Sequence, residues 1–170
     1  FVPGESVLLR CDFFTKTGNY FIEYSVYSGS NWNTITSVGA EVRQYDWVVP
    51  NTVSANAFIR VSNGNVSGIS SSTFTIVGLP TNLNVNWACA DSVKLSWTAV
   101  SGADAYEVSQ LGTFYMDSVA TSTTPFAIVH NTSLADTLWF SVKALKGTHG
   151  RGRRAEVIYK LPGLLNCNTA

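Results

Sequence analysis

His130, His149, Cys11, Cys89 and Cys167 are the side chains of this sequence best suited to act as base, nucleophile or soft metal ligand. Catalysis needs such groups together, as a nucleophile with a base, a paired acid and base, or a ligand set. His130 continues the alternating face of Phe126 and Ile128, which makes it a strand-end or core histidine. His149 sits among Gly147, Gly150 and Gly152, in a glycine-rich loop. There is no Gly-x-Ser-x-Gly elbow, no His-Glu-x-x-His pair and no glycine-rich phosphate loop. The acids are scattered singly, without the Asp-x-Asp grouping that hard cations favour. Three cysteines are too few for a disulfide framework, and their spacing fits no metal site. The sequence therefore predicts no catalytic residue, no metal site and no cofactor.

The aromatic side chains offer a different chemistry. An exposed ring can stack on a sugar or anchor a protein partner. Trp139 has the opposite parity to Leu138 and Phe140, so it is expected to point outward, as a platform or beneath a neighbour such as Lys143 on the same face. Trp32 and Tyr45 are the other candidates for partial exposure.

The elements that must position these groups are strands. Apolar residues recur with period 2 nearly throughout, and turn residues interrupt them every 8 to 12 positions or so. Val7, Leu9 and Cys11 share one parity, so Cys11 reads as a small buried hydrophobe. Ile22, Tyr24 and Val26 alternate next, and a Ser28-Gly29-Ser30-Asn31 turn leads to Trp32. Ala57, Ile59 and Val61 mark a later strand, closed by Asn63-Gly64-Asn65, and Phe74 and Ile76 the last of the first half. Pro80, in Gly78-Leu79-Pro80, cannot donate to a ladder, so one sheet ends there and another begins. Leu83, Val85 and Trp87 then restart the pattern. Val93, Leu95 and Trp97 follow, then Tyr106 and Val108. Leu138, Phe140, Val142 and Ala144 form one later face, and Val157, Tyr159 and Leu161 another. No segment has helical apolar spacing between a cap and a stop signal.

Bulk composition agrees with this picture. Hydrophobic residues make up 45% of 170, enough for a packed interior. Only 13% are charged, about half the usual share, with 11 basic residues against 11 acidic ones. That balance gives no reason to expect nucleic acid or an anionic membrane surface as partner. No apolar run approaches the ~18 residues of a membrane span. The opening Phe1-Val2-Pro3-Gly4-Glu5 reads as an internal piece of a longer protein whose targeting signals lie elsewhere. Asn65-Val66-Ser67 and Asn131-Thr132-Ser133 are sequons, usable only in a eukaryotic secretory source.

Ser92 to Ser109, SVKLSWTAVSGADAYEVS, resembles the start of a fibronectin type III module, with a Trp on the second strand and Tyr-Glu-Val on the third. WFSVKAL, Trp139 to Leu145, resembles that module's sixth strand. Leu138 departs from the family, which usually places a Tyr there to clamp the preceding loop. YSVYSGSNW and AFIRVSNG in the first half are similar to immunoglobulin-like repeats of large secreted bacterial proteins. The two modules in this order, with LPTNLNV between them, look like the accessory region of exported peptidases in Bacteroidetes-type bacteria.

These resemblances imply an all-β fold of two tandem sandwiches. An immunoglobulin-like one spans residues 1–78, its first strand left open as complete or partial, and a fibronectin type III-like one spans 79–170. The implied protein is non-enzymatic, secreted or at the cell surface. It spaces, presents or stabilises other domains of the same longer chain. A carbohydrate-binding or adhesion module is the alternative, with a protein or glycan ligand. A receptor ectodomain comes second, without the Trp-Ser-x-Trp-Ser element that would mark one. In a fibronectin-type sandwich the ends of strands one and seven share a pole, which implies a Cys89–Cys167 bridge; two free thiols are the other outcome. The same topology puts Arg151, Arg153 and Arg154 in the sixth-to-seventh-strand loop, either as a recognition loop or as a solvated mobile one.

Overall fold

The computed structural model describes residues 1–13, 17–64 and 66–167. The chain divides into two compact units, Phe1–Val77 and Gly78–Ala170, and among the described residues every regular element is a strand.

The first unit contains β1 (Ser6–Arg10), β2 (Asn19–Ser25), β3 (Asn33–Gly39), β4 (Gln44–Val48), β5 (Ser54–Asn63), β6 (Val66–Ile69) and β7 (Phe74–Ile76). One sheet is the β1–β4 pair. The other has the order β3-β2-β5-β6, with β7 also paired to β5, and all pairings are antiparallel. The β2–β3 connection, residues 26–32, contains a turn in which Ser28 and Gly29 both take positive φ, 53° and 83°, and Ser30 N–H donates to the Tyr27 carbonyl at 3.0 Å. Ser25 Oγ holds this turn by accepting from the Tyr27 and Gly29 backbone N–H groups at 3.2 and 3.0 Å.

Trp47 is the centre of this unit's core. It packs with Val26, Val49, Ala57 and Ile76, while the rings of Phe1, Tyr24 and Phe74 lie 6.4, 5.6 and 6.2 Å from its own. Val7 and Leu9 lean on this cluster from β1, as their shared parity requires. Asn65, of the first sequon and of the turn after β5, lies outside the described residues.

The second unit contains β8 (Thr81–Cys89), β9 (Ser92–Thr98), β10 (Ala105–Leu111), β11 (Met116–Ser122), β12 (Phe126–His130), β13 (Leu138–Lys146), β14 (Gly150–Arg154) and β15 (Ile158–Lys160). Its sheets run β12-β9-β8 and β11-β10-β13-β14, with β15 also on β13. Val93, Leu95, Trp97, Val108, Phe140 and Val142 fill the space between them. Trp97 meets Tyr106 edge-on at 5.2 Å, and the Tyr106 hydroxyl accepts the Val100 N–H at 2.8 Å.

The two units have the same sheet order. β1 and β4 stand where β9 and β12 stand, and β2, β3 and β5 where β10, β11 and β13 stand. Each final strand is split in two, as β6 with β7 and as β14 with β15. Among the described residues the strand orders differ by β8, which covers the outer edge of β9. Among the described residues nothing covers the corresponding edge of β1.

Three expectations need correction. Gly150–Arg154 is strand β14, paired with β13, and not a mobile loop. Val157, Tyr159 and Leu161 share a face, but it is the exposed one; Lys160 between them is buried and donates its Nζ to the Gly163 carbonyl. His130 ends β12 with Phe126 and Ile128 on the solvent side, while Ala127 and Val129 carry the core face.

Candidate binding surfaces

Glu107 and Glu23 are each tied up in structural ion pairs. Glu107 on β10 is buried and sits opposite Lys143 on β13, whose Nζ lies 2.6 Å from Oε1. Arg151 on β14 reaches the second oxygen of Glu107 at 3.1 Å. This row crosses three strands on the outer face of the sheet. Lys143 is thereby held by Glu107, and the ring beside Trp139 belongs to Tyr159, its cross-strand partner, 5.1 Å away. The expectation of a Lys143 cap over Trp139 is overturned. Arg154 donates to the Met116 carbonyl across the same sheet at 3.2 Å, and Arg153 is exposed.

In the first unit Glu23 accepts from Arg60 Nε at 2.8 Å and from the Ser62 hydroxyl at 3.0 Å. The Arg60 hydrogen bond, against some desolvation, holds the Glu23 carboxyl below its ordinary range. The Arg60 guanidinium also lies over the half-buried Trp32 ring, 4.2 Å from its centre. Trp32 is thus the far end of a Glu23–Arg60–Trp32 stack. Tyr45 is half-buried and leans on the Trp47 cluster, so less of its ring is free than an exposed platform would need.

Cys89 and Cys167 are joined, with Cα atoms 5.1 Å apart across 78 positions. The backbone pair between Ala88 and Leu165, 2.7 and 3.0 Å in its two directions, brings the chain beyond β15 back beside β8. Cys11 is a free, half-buried thiol, and burial, then the neighbouring Asp12 charge, push its pKa up. Among the described residues no three His, Cys, Asp or Glu side chains are grouped to hold a metal ion. Among the same described residues no helix is long and apolar enough to cross a membrane.

One surface escaped the sequence reading. Leu111, Trp139 and Tyr159 occupy neighbouring strands, Trp139 paired with Tyr159 and Leu111 one step past the Gln110–Phe140 pair. Trp139 is 39% exposed and Tyr159 57%, so the pair is open to solvent despite its mutual contact. Phe114 and Tyr115, at the tip of the β10–β11 hairpin, are 82% and 78% exposed, far beyond what a core role would leave. Two adjacent aromatics following Gly112-Thr113 were the available signal, since a hairpin tip cannot bury both.

No protein-family profile matches the chain, and no curated protein is similar to it in sequence. Solved structures are similar to it in shape. A two-domain fibronectin type III segment from chicken tenascin matches 96% of this chain and 93% of its own, at 18% identity and a TM-score of 0.53. The FN1-FN3 domains of chicken CNTN1 match 95% of this chain and 61% of theirs, at 12% identity and 0.45. A multidomain titin segment matches 94% and 60%, at 17% and 0.44. The fold is two tandem fibronectin type III-like sandwiches. At these identities the likeness shows the fold alone, since one such fold hosts many functions.

Proposed function

We propose that this chain is a non-catalytic accessory pair that spaces, presents or stabilises a neighbouring domain of a larger secreted or cell-surface protein. The same pair makes protein contacts of its own. The parent we infer is an exported bacterial peptidase, with this chain in its accessory region. The observation that carries the contact-making part is the apolar surface at Leu111, Phe114, Tyr115, Trp139 and Tyr159, on the outer face and hairpin tip of the second unit's larger sheet. Exposed aromatics clustered in this way mark interaction sites in soluble domains. The structural pairing of Glu107, Lys143, Glu23 and Arg60 supports the non-catalytic part, because a general acid or base must be free to exchange its proton. The Cys89–Cys167 bridge supports an oxidising compartment.

The test is to run the intact chain over a glycan array and through peptidase, esterase and glycosidase substrate panels. No retained sugar and no turnover is the expected result. A saturable sugar signal that disappears in Trp139→Ala and Tyr159→Ala would move the assignment to a carbohydrate-binding module. Turnover abolished by any single substitution in the chain would end the non-catalytic reading.

A further inference from the structure

Charge is unevenly spread over the larger sheet of the second unit, although the whole chain is neutral. The strands of this sheet carry Lys143, Lys146, Arg151, Arg153, Arg154 and Lys160 on one side of the balance and Glu107 and Asp117 on the other. Lys160 is buried against the Gly163 carbonyl, and Lys146 is held by Asp104 at 2.8 Å. Asp117 lines a separate cleft with His130 and Asn131. On the outer face Glu107 therefore serves Lys143 and Arg151 together, and the Arg151 side chain stays 65% exposed beside it. Arg154 pairs with Lys143 in the ladder and so shares that face. Among the described residues no carboxylate pairs with Arg154.

The Arg154 guanidinium spends one N–H on the Met116 carbonyl, and Met116 pairs with Leu111. An exposed cation with donors to spare thus stands at one end of the apolar row Met116, Leu111, Trp139, Tyr159. Along β13 the row lies four positions from Lys143, ~13 Å at the rise of a strand. The face offers an apolar ledge with arginines at its end and alongside it, while its own carboxylate is already shared. An occupant that matches it brings apolar surface and negative charge together.

We propose that the outer face of this sheet docks an acidic polypeptide segment, which seats an apolar side chain on Leu111, Trp139 and Tyr159 and places carboxylates on Arg154 and Arg151. Carboxylate and guanidinium form paired, parallel hydrogen bonds, which fix the segment's register, and the aromatic ledge supplies the buried anchor. A polypeptide offers both groups within a few residues. A sulfated sugar repeats its charges without an apolar side chain, so it fits the arginines and not the ledge. The inference rests on the reading of this surface as a protein contact and names the chemistry of the partner.

The probe is a random dodecapeptide display library panned on the intact chain, with the most enriched peptide then synthesised and titrated. Enriched peptides should carry net negative charge together with an aromatic or large aliphatic residue. Arg154→Gln keeps an amide donor for the Met116 carbonyl and removes the charge. This variant, Arg151→Gln and Trp139→Ala should each weaken the peptide about tenfold while the second unit's near-ultraviolet dichroism stays native. Arg10→Gln removes the same charge from an exposed position of the first unit and should leave the affinity unchanged. Enriched peptides without acidic bias that still need Trp139 would overturn the acidic partner and leave the contact-making reading standing. Binding indifferent to all three substitutions, or none tighter than ~1 mM, would remove the docking site itself. Dextran sulfate held more tightly than any peptide, and released by the same arginine substitutions, would also sink the proposal by naming a polyanionic sugar.

Discussion

Glu23, Arg60 and Trp32 form a chain of contacts in which a carboxylate orients a guanidinium and the guanidinium covers a ring. The carboxyl is held below its ordinary range chiefly by the Arg60 hydrogen bond, so the unfolded chain takes up a proton more readily than the folded one. Its contribution is therefore fully present above the ordinary glutamate value, roughly pH 4, and is lost as pH falls through the lowered one. Denaturant midpoints of the first unit measured from pH 6 to pH 2.5 should show wild type above Glu23→Gln at the high end and the two converging at the low end. A constant gap would mean that Glu23 acts by packing alone. Glu107 and Lys143 allow a different test, since both are nearly buried. Lys143→Met leaves Glu107 with the solvent-exposed Arg151 and should cost about 2 to 3 kcal/mol, less than the loss of an only partner. Adding Glu107→Leu should restore most of that stability, because two matched apolar residues carry no stranded charge. Urea unfolding of the three proteins decides it.

At the scale of elements, strand parity was readable wherever one face is buried and the other wet. The faces of Val93, Leu95 and Trp97 and of Leu138, Phe140 and Val142 are core as their alternation indicates. Parity fails where a strand is apolar on both sides or sits at an edge. Val157, Tyr159 and Leu161 are exposed because β15 pairs only with β13, and Lys160, long enough to reach the Gly163 carbonyl, takes the inward place. The arginine run reads as a loop by composition, yet glycine and arginine enter β14 because β13 supplies a ladder and Glu107 an anchor. Trp47 escaped notice in a stretch of imperfect alternation, although three rings and several aliphatic side chains converge on it. The surface at Phe114 and Tyr115 went unread because the signal after Gly112-Thr113 marks a hairpin tip only once β10 and β11 are known to pair. Trp97, by contrast, was legible and is buried against Tyr106. Trp97→Ala should cost about 3 to 5 kcal/mol, typical of truncating a core Trp, read from the second unit's denaturant midpoint. A loss below about 1 kcal/mol would remove Trp97 from the core.

For the whole molecule, the Cys89–Cys167 bridge confines its covalent constraint to one of the two units. It ties the end of β8 to the chain beyond β15, closing 78 positions that include nearly all of the second sandwich. In the chain-entropy account a loop of that length stabilises by about 4 to 5 kcal/mol, through freedom denied to the unfolded state. Cys11 takes no part, being a half-buried thiol in the first unit. Reduction should therefore act on one unit alone. With dithiothreitol, amide exchange in β9, β10 and β13 should accelerate toward a much lower opening free energy, while β2 and β5 keep their protection. Cys89→Ser with Cys167→Ser should reproduce the effect without reductant, and Cys11→Ser should change neither unit's response to it. Equal acceleration in β2 and β5 would mean that the units unfold together, against their division at Val77 and Gly78. No acceleration anywhere would mean that the unfolded second unit stays compact enough for the crosslink to remove little freedom.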